Sequence, residues 1–322
     1  MDRLRFGILG VSRIAQKAIL PAFTSSKKAE LVCIGSRAHT HLDLGFPMLS
    51  YEDVLASDID AVYLSLPNSL HEEWSIKAAQ AGKHIWCEKP AALTYSSAQR
   101  MTETARTHNV RLMEGFMFLR HPQHAEVREL IESGEIGEVV GFEGRFAFPF
   151  PDKGNIRLDP ARGGGVYADA FGYPLRASRL FLGEPTHITN RLYVNEEFGV
   201  DVKAESTLHF KDVNATLSAE FTTDYRSTYR IQGTTGSVSM ERAYAVPADM
   251  ETHVFVERHG VAETIAIPPS DQFMLMIDEF AEEVLSGTTK KNYEEDLLQQ
   301  ARILDAGRLS AAEHKTIKIS TE

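Results

Sequence analysis

The stretch LRFGILGVSRIA, residues 4–15, decides the fold. Leu4 to Gly10 is a short apolar run suited to a buried strand. It leads directly into Gly10-Val11-Ser12-Arg13-Ile14-Ala15, the place of a G-x-G-x-x-G/A dinucleotide fingerprint. In such a turn the first glycine makes a tight bend, the second lets a pyrophosphate approach the backbone, and a helix N-terminus faces the phosphate charge. Gly10 supplies the first and Ala15 is a permitted third. Ser12 replaces the middle glycine and brings a hydroxyl able to hydrogen-bond a phosphate, and Arg13 and Ile14 carry the turn into a helix. An ordinary strand-to-helix turn would look similar in isolation, but its position at the first strand favours the dinucleotide reading.

Working outward, residues up to about 117 alternate short apolar runs with amphipathic stretches, the pattern of a parallel sheet with helices on its faces. Strands are expected at Leu4 to Gly10, Glu30 to Ser36, Ala61 to Leu66, His84 to Cys87 and Arg111 to Phe116. Ser69 with Glu72 predicts a capping box opening a helix whose stripe is Leu70, Trp74, Ala78 and Ala81, stopped by Gly82. The second strand ends at Ser36-Arg37, where an NAD-specific protein would carry an acid for the ribose 2′-hydroxyl. A hydroxyl followed by a guanidinium suits a 2′-phosphate instead, so NADP(H) is preferred and NAD(H) stays possible; a solvated surface arginine is the plainer alternative. The segment between Arg37 and Ala61 leaves little room for the usual crossover helix, which bears on the adenine pocket.

After His121-Pro122 the texture changes. Pro122 opens a helix with Val127, Leu130 and Ile131 on its apolar side and a stop at Ser133-Gly134. Ala215, Leu217, Ala219 and Phe221 then alternate with polar residues, and Thr234-Thr235-Gly236 and His259-Gly260 read as hairpin turns. An antiparallel meander is expected from about Val139 to Ile267. Phe273, Ile277, Phe280 and Val284 mark one helix, and Leu297 to Leu309 another. The expected architecture is α/β: an N-terminal Rossmann-type parallel-sheet domain over residues 1–120, then an α+β domain with a large, mostly antiparallel open sheet over 121–322.

Composition agrees with this division. At about 150 residues per domain, 322 residues point to two domains. With 43% hydrophobic and 25% charged residues the chain can bury a core, which excludes a disordered or collagen-like protein. Lys+Arg 34 against Asp+Glu 45 gives a net charge of −11, which repels nucleic acid and anionic lipid. Cys33 and Cys87 sit in apolar runs without Cys-x-x-Cys spacing, so neither a disulfide framework nor a zinc site is indicated and a reducing cytoplasm is expected. The apolar stretch in Met1 to Leu9 is too short for a signal segment, and no run approaches 18 apolar residues. His39/His41 and His121/His124 have chelating spacings but no third ligand nearby, so no metal is expected.

Leu66-Pro67-Asn68-Ser69-Leu70-His71 and Cys87-Glu88-Lys89-Pro90 each stand at the C-terminal end of an expected strand, where open parallel sheets bind ligands. With these segments the chain resembles the Gfo/Idh/MocA family of NAD(P)-dependent oxidoreductases, in which a Glu-Lys-Pro segment closes the nucleotide-binding domain. Gly163-Gly164-Gly165-Val166-Tyr167-Ala168-Asp169, followed by Tyr173, is similar to the family's second signature, whose Asp and Tyr or His complete the site with the lysine. The resemblance implies Lys89, Asp169 and Tyr173 as catalytic residues. It also implies cofactor contacts from Gly10, Ser12, Arg13, Ile14, Ser36, Arg37, Leu66, Pro67, Asn68, His71, Glu88 and Lys89.

On one helix Asp169 and Tyr173, four apart, would point the same way. A Tyr O–H beside a lysine ammonium can protonate a developing alkoxide while the cation stabilises the charge. Singly, Glu88-Lys89 also reads as a surface ion pair, Tyr173 as a core aromatic and Asp169 as a helix cap; it is their combination that suggests chemistry. Pro174 inside that helix demands a kink or an interruption. Cys87, in an apolar strand, reads as a buried thiol.

Within the family the chain is most similar to nucleotide-sugar 3-ketoreductases, which reduce a 3-keto-6-deoxyhexose carried on a nucleoside diphosphate. The likeness rests on Asn155 to Pro160, Asp224-Tyr225-Arg226 with Tyr229, and Arg242-Ala243-Tyr244 leading into Pro247-Ala248-Asp249. Arg157, Arg162, Arg226 and Arg230 offer guanidinium groups to a diphosphate. Substrate contacts are expected from Arg157, Arg162, Asp169, Tyr173, Tyr225 and Arg226. The alternatives are an NADP-dependent dehydrogenase of a free sugar, polyol or trans-dihydrodiol, and a silent NADP-binding sensor. A homodimer or homotetramer through the outward sheet face is expected by analogy.

Overall fold

The computed structural model describes residues 3–37, 43–221 and 224–320. The chain divides into two compact units, Met1–Gly115 with Phe273–Ala301, and Phe116–Gln272 with Arg302–Glu322. The first is built on six parallel strands: β1 (Leu4–Leu9), β2 (Ala29–Gly35), β3 (Met48–Leu49), β4 (Ala61–Leu64), β5 (His84–Cys87) and β6 (Leu112–Glu114). Their order, β3-β2-β1-β4-β5-β6, reverses between β1 and β4, so the C-terminal edge carries a crevice there. β4 is buried along its whole length and β1 nearly so, as expected of strands covered on both faces.

Five of these strands were expected. The sixth, β3, is two residues long at the sheet edge, too short to show an alternating pattern. A six-residue helix, Tyr51–Ala56, follows it, capped by Ser50. The helix after β1 contains a π-helical turn over Ala15–Ile19. Pro21 follows two residues after it, and its ring would collide with a carbonyl one regular turn back, so the widened turn accommodates it. Ser69 does not cap the next helix; a 3-10 turn, Asn68–Leu70, opens the α-helix His71–Gln80, and Glu72 pairs with Arg100 at 2.5 Å instead. Trp74 and Ala78 of the expected stripe are buried, while Ala81 is exposed.

The helix Gln272–Ser286 packs in the first unit, so this part of the chain returns to the unit of the parallel sheet. Arg111 at the start of β6 explains the attachment. Its guanidinium lies 3.1 Å from Glu283 and 3.0 Å from Glu294, donates to the Lys291 carbonyl at 2.7 Å and stacks 4.9 Å from the Tyr293 ring centroid.

The second unit carries nine strands: β7 (Val139–Ala147), β8 (His187–Asn195), β9 (Val200–His209), β10 (Asn214–Glu220), β11 (Arg226–Gly233), β12 (Gly236–Met240), β13 (Thr252–Arg258), β14 (Val261–Ile267) and β15 (Ile317–Lys318). The order is β14-β13-β12-β11-β7-β10-β9-β8-β15, antiparallel except for the parallel pair β7 and β10. Both expected hairpins form, and His259 and Gly260 take positive φ in the turn between β13 and β14. One face buries Phe142, Phe146, Leu217, Ala219, Tyr229 and Ile231, against which the helices Pro122–Glu132 and Gly172–Leu182 lie; the alternate residues face outward. Among the described residues no helix is long and apolar enough to cross a membrane.

Candidate active site

In the first unit the expected cofactor residues gather at the C-terminal edge of the parallel sheet. Gly10 has φ +97°, and a Cβ there would stand 2.4 Å from the Ser65 carbonyl oxygen, so only glycine lets the chain leave β1 beside the end of β4. The Ser12 hydroxyl lies 2.5 Å from the Ser65 hydroxyl and accepts the Ala15 N–H at 3.2 Å, capping the helix in which Arg13 and Ile14 are exposed. Ser36 is buried and its N–H bonds the Leu49 carbonyl at 3.2 Å, whereas Arg37 is exposed. Leu66, Pro67 and Asn68 form the turn after β4.

His71 is 1% exposed, and its two ring nitrogens lie 2.9 Å from the Pro90 carbonyl and 3.0 Å from the Leu66 carbonyl. The ring thus pins together the loops after β4 and β5. Burial holds its pKa below the ordinary imidazole value against the pull of these two carbonyls, and the nearby Lys89 ammonium adds to the lowering.

The Glu88-Lys89-Pro90 segment contains a cis Lys89-Pro90 bond and is held on several sides. The Glu88 N–H bonds the Leu64 carbonyl at 3.1 Å, the buried Tyr63 hydroxyl donates to the Glu88 carboxylate at 2.7 Å, and the Ala91 N–H donates to Glu114 at 2.9 Å. Tyr63 and Glu114 were not expected at the site. A charge closing an apolar strand was the available sign for Glu114; nothing in the sequence marked Tyr63.

In the second unit Asp169 and Tyr173 do not share a helix. Val166–Asp169 is one short helix and Gly172–Leu182 another, with Ala170 and Phe171 between them. Pro174 falls in the first turn of the second, where the missing N–H costs no helical bond, so the expected interruption lies just before it. Asp169 accepts from Arg157 Nε at 2.5 Å. Asp169 raises the Arg157 pKa, burial opposes it, and Tyr173 adds to the rise.

Tyr173 is 5% exposed, with its ring centroid 4.9 Å from that of Phe146, 5.5 Å from Phe116, 5.7 Å from Tyr244 and 5.9 Å from Phe118. Its hydroxyl lies 3.7 Å from the Met117 sulfur. Asp201 of β9, also unforeseen, orders the signature turn. Its carboxylate accepts the Tyr167 N–H at 2.6 Å, and at Gly165, with φ +107°, a Cβ would come within 2.5 Å of it. Burial raises the Asp201 pKa, and the backbone N–H of Tyr167 pulls against that rise.

The remaining expected substrate residues scatter. Arg162 is exposed and lies 3.1 Å from Asp159. The Tyr225 hydroxyl reaches the Ala245 carbonyl at 3.5 Å, and Arg242 covers its ring at 4.5 Å. Arg226 and Arg230 alternate with the buried Ser227 and Tyr229, so both stand on the outer face of the sheet, away from the Tyr173 side; Arg230 lies 3.6 Å from Glu257.

His124 is enclosed by Tyr229 and the Ala243 carbonyl, both at 2.9 Å; His39 and His41 lie outside the described residues, among which no three metal-ligating side chains cluster. Cys33 and Cys87 are free and buried, and burial pushes the Cys87 thiol well above its usual pKa.

These residues fit a dinucleotide. The bare backbone at Gly10 sits where the strand order reverses, the helix following it starts at the sheet edge, and no carboxylate ends β2.

Comparison with known proteins points the same way. The family model described as oxidoreductase family, NAD-binding Rossmann fold, matches residues 4–116, and the GFO/IDH/MocA C-terminal domain matches residues 124–239. The chain is 36% identical to the dTDP-3,4-didehydro-2,6-dideoxy-alpha-D-glucose 3-reductase of Actinomadura kijaniata, over 96% of either chain. It is 33% identical to D-xylose 1-dehydrogenase (NADP(+)) 2 of Haloferax volcanii, over 94% of this chain and 96% of that one. Among solved structures it is similar, with a TM-score of 0.91 and 35% identity, to a 3-ketoreductase from Actinomadura kijaniata in complex with NADP and TDP-benzene, covering 96% of this chain and 98% of that one. The chain therefore belongs to the Gfo/Idh/MocA family and is an NAD(P)-dependent oxidoreductase.

Proposed function

We propose that the chain uses NADPH to reduce the keto group of a nucleotide-linked sugar, a 3-keto-6-deoxyhexose on a nucleoside diphosphate, with Tyr173 as proton donor assisted by Lys89. When bound, the nicotinamide supplies the hydride. Gly10 and Ser12 hold the pyrophosphate, with Arg13 and Ile14 beside them. Ser36 and Arg37 take the adenosine 2′-phosphate, and Leu66, Pro67, Asn68 and Glu88 line the path to Lys89, with His71 tying their loops together.

The observation that carries the chemistry is the seating of Tyr173, a phenol 5% exposed and walled by four aromatic rings, near enough to Arg157 of the Arg157–Asp169 pair to raise its pKa. Aromatic walls exclude water, so a proton passed from the phenol goes to the substrate oxygen rather than to solvent, and a lysine ammonium stabilises the negative charge that remains. Asp169 orients Arg157, whose guanidinium then meets a substrate phosphate as an aligned fork; Arg162 and Tyr225 complete the approach. Arg226, on the outer face, is left out. The 96% coverage shared with the Actinomadura 3-reductase supports the nucleotide-sugar substrate, and the NADP in the solved relative supports the choice of cofactor.

The test is NADPH consumption with a panel of free and nucleotide-linked keto sugars. Lys89→Ala and Tyr173→Phe should lose turnover and keep cofactor binding; normal turnover by both removes the assignment. The 33% identity to the Haloferax dehydrogenase favours a second reading, NADP-dependent oxidation of a free aldose. D-xylose with NADP+ distinguishes the two. We further propose a cytoplasmic homodimer or homotetramer paired through the outer face of the nine-stranded sheet; light scattering that returns a monomer removes this part.

A further inference from the structure

We propose that Tyr51 and Trp74 form an aromatic platform that aims the Arg37 guanidinium at the 2′-phosphate of NADP(H), making them specificity-determining residues that touch no phosphate themselves. This rests on the assignment of Arg37 given above. Arg37 closes β2 at the sheet edge and is exposed, yet its guanidinium is not loose: it lies 5.0 Å from the Tyr51 ring centroid and 5.4 Å from that of Trp74. The two rings are themselves locked, with centroids 5.0 Å apart at 80°, Trp74 fully buried and Tyr51 7% exposed.

The Tyr51 hydroxyl also accepts the Arg37 backbone N–H, which fixes the start of the side chain as well as its end. A second cation, Lys77, sits 4.2 Å from the Trp74 centroid, held by Glu73 at 2.5 Å. Two cations thus share one buried indole in a protein of net charge −11. A flexible arginine loses rotamer freedom when it grips an anion, whereas one already stacked on rigid rings has lost it beforehand. A guanidinium over ring faces keeps its N–H edge turned outward, the edge that grips a phosphate.

The experiment measures binding of 2′,5′-ADP and 5′-AMP, two probes that differ only in the 2′-phosphate, by calorimetry on the full chain. Wild type should prefer 2′,5′-ADP, and Arg37→Ala should abolish the preference. Tyr51→Met keeps side-chain bulk but removes the ring, and should weaken 2′,5′-ADP binding by about fivefold while leaving 5′-AMP unchanged. Tyr51→Phe, which keeps the ring, should retain most of the preference. A wild type without preference for 2′,5′-ADP refutes the Arg37 assignment itself. A wild-type preference lost in Arg37→Ala but intact in Tyr51→Met overturns only the platform, and so does equal weakening of both probes in Tyr51→Met.

A second measurement needs no change in the core. The Arg37 Nε–H NMR resonance, identified by its loss in Arg37→Ala, should be ring-current shifted and should respond to 2′,5′-ADP but not to 5′-AMP. An unshifted resonance overturns the platform.

Discussion

Acidification from about pH 7 to about pH 5 should cost the protein about 4 kcal/mol of stability through two imidazoles of the second unit, His121 and His124. His124 is 3% exposed, with Nδ1 2.9 Å from the Tyr229 hydroxyl and Nε2 2.9 Å from the Ala243 carbonyl. The carbonyl can only accept, so Nε2 carries a hydrogen; burial disfavours the charged ring, and in the neutral ring Nδ1 accepts from Tyr229. Burial, with His121 adding to it, lowers the His124 pKa to about 3, and burial lowers that of His121 to about 4.

In the unfolded chain both return to about 6.5. Because the folded values lie below the unfolded ones, their stabilisation is complete above about pH 6.5 and drains away as pH falls toward about 4 and then about 3. At about pH 5 each unfolded imidazole has gained about 2 kcal/mol from protonation that its folded counterpart has not. His124→Gln isolates one share, since an amide can donate to Ala243 and accept from Tyr229 without titrating. Urea titrations across this window should show the variant losing about 2 kcal/mol less than wild type. Equal losses in the two proteins would refute a buried, neutral His124; titration of other groups cancels in the difference.

Other expectations follow from single contacts. Gly10→Ala should lose 2′,5′-ADP and 5′-AMP binding alike and lower the melting temperature, because the added carbon meets a backbone carbonyl and the positive φ costs a further ~1 kcal/mol. Arg111→Met should destabilise the protein by about 3–5 kcal/mol in urea, since it strands the Glu283 carboxylate, 3% exposed, without its cation. Asp201→Ala should cost about 1–3 kcal/mol through the unpaired Tyr167 N–H and raise KM for the proposed keto-sugar substrate more than it lowers kcat; an unchanged KM would confine Asp201 to a role in folding.

The parallel sheet was legible because Leu4 to Ala15 joins a strand pattern to a turn with a single geometric solution, and buried strands announce themselves as apolar runs. The hairpins at Thr234 to Gly236 and His259-Gly260 were readable for a similar reason: turn chemistry is local. What escaped notice depends on distant partners. Arg111 draws Glu283 and Glu294 to β6 from far along the chain, and no local pattern announces that attachment. Tyr63, Glu114 and Asp201 support the site through bonds to backbone or neighbouring side chains, so they carry no motif of their own.

The break between Asp169 and Tyr173 was implied by Pro174, though its location depended on the capping of each short helix. Arg226 is the expected substrate residue on which strand alternation already bears. It shares parity with Arg230 and is out of phase with Tyr229, so strand alternation alone assigns it to the opposite face.

The parallel pairing of β7 with β10 bears on how the second unit is born. β7 leaves the ribosome first of the nine strands, yet both its neighbours, β10 and β11, are synthesised much later. β8, β9 and β10 can zip together as they emerge, while β7 must wait as an unclaimed ribbon with two open edges until β10 arrives, and with one open edge until the nascent chain has delivered β11. A chain released early, between β7 and β10, would display that ribbon to whatever strand it met, and aggregation of such fragments is the expected cost of a sheet whose middle strand is made first and flanked only later.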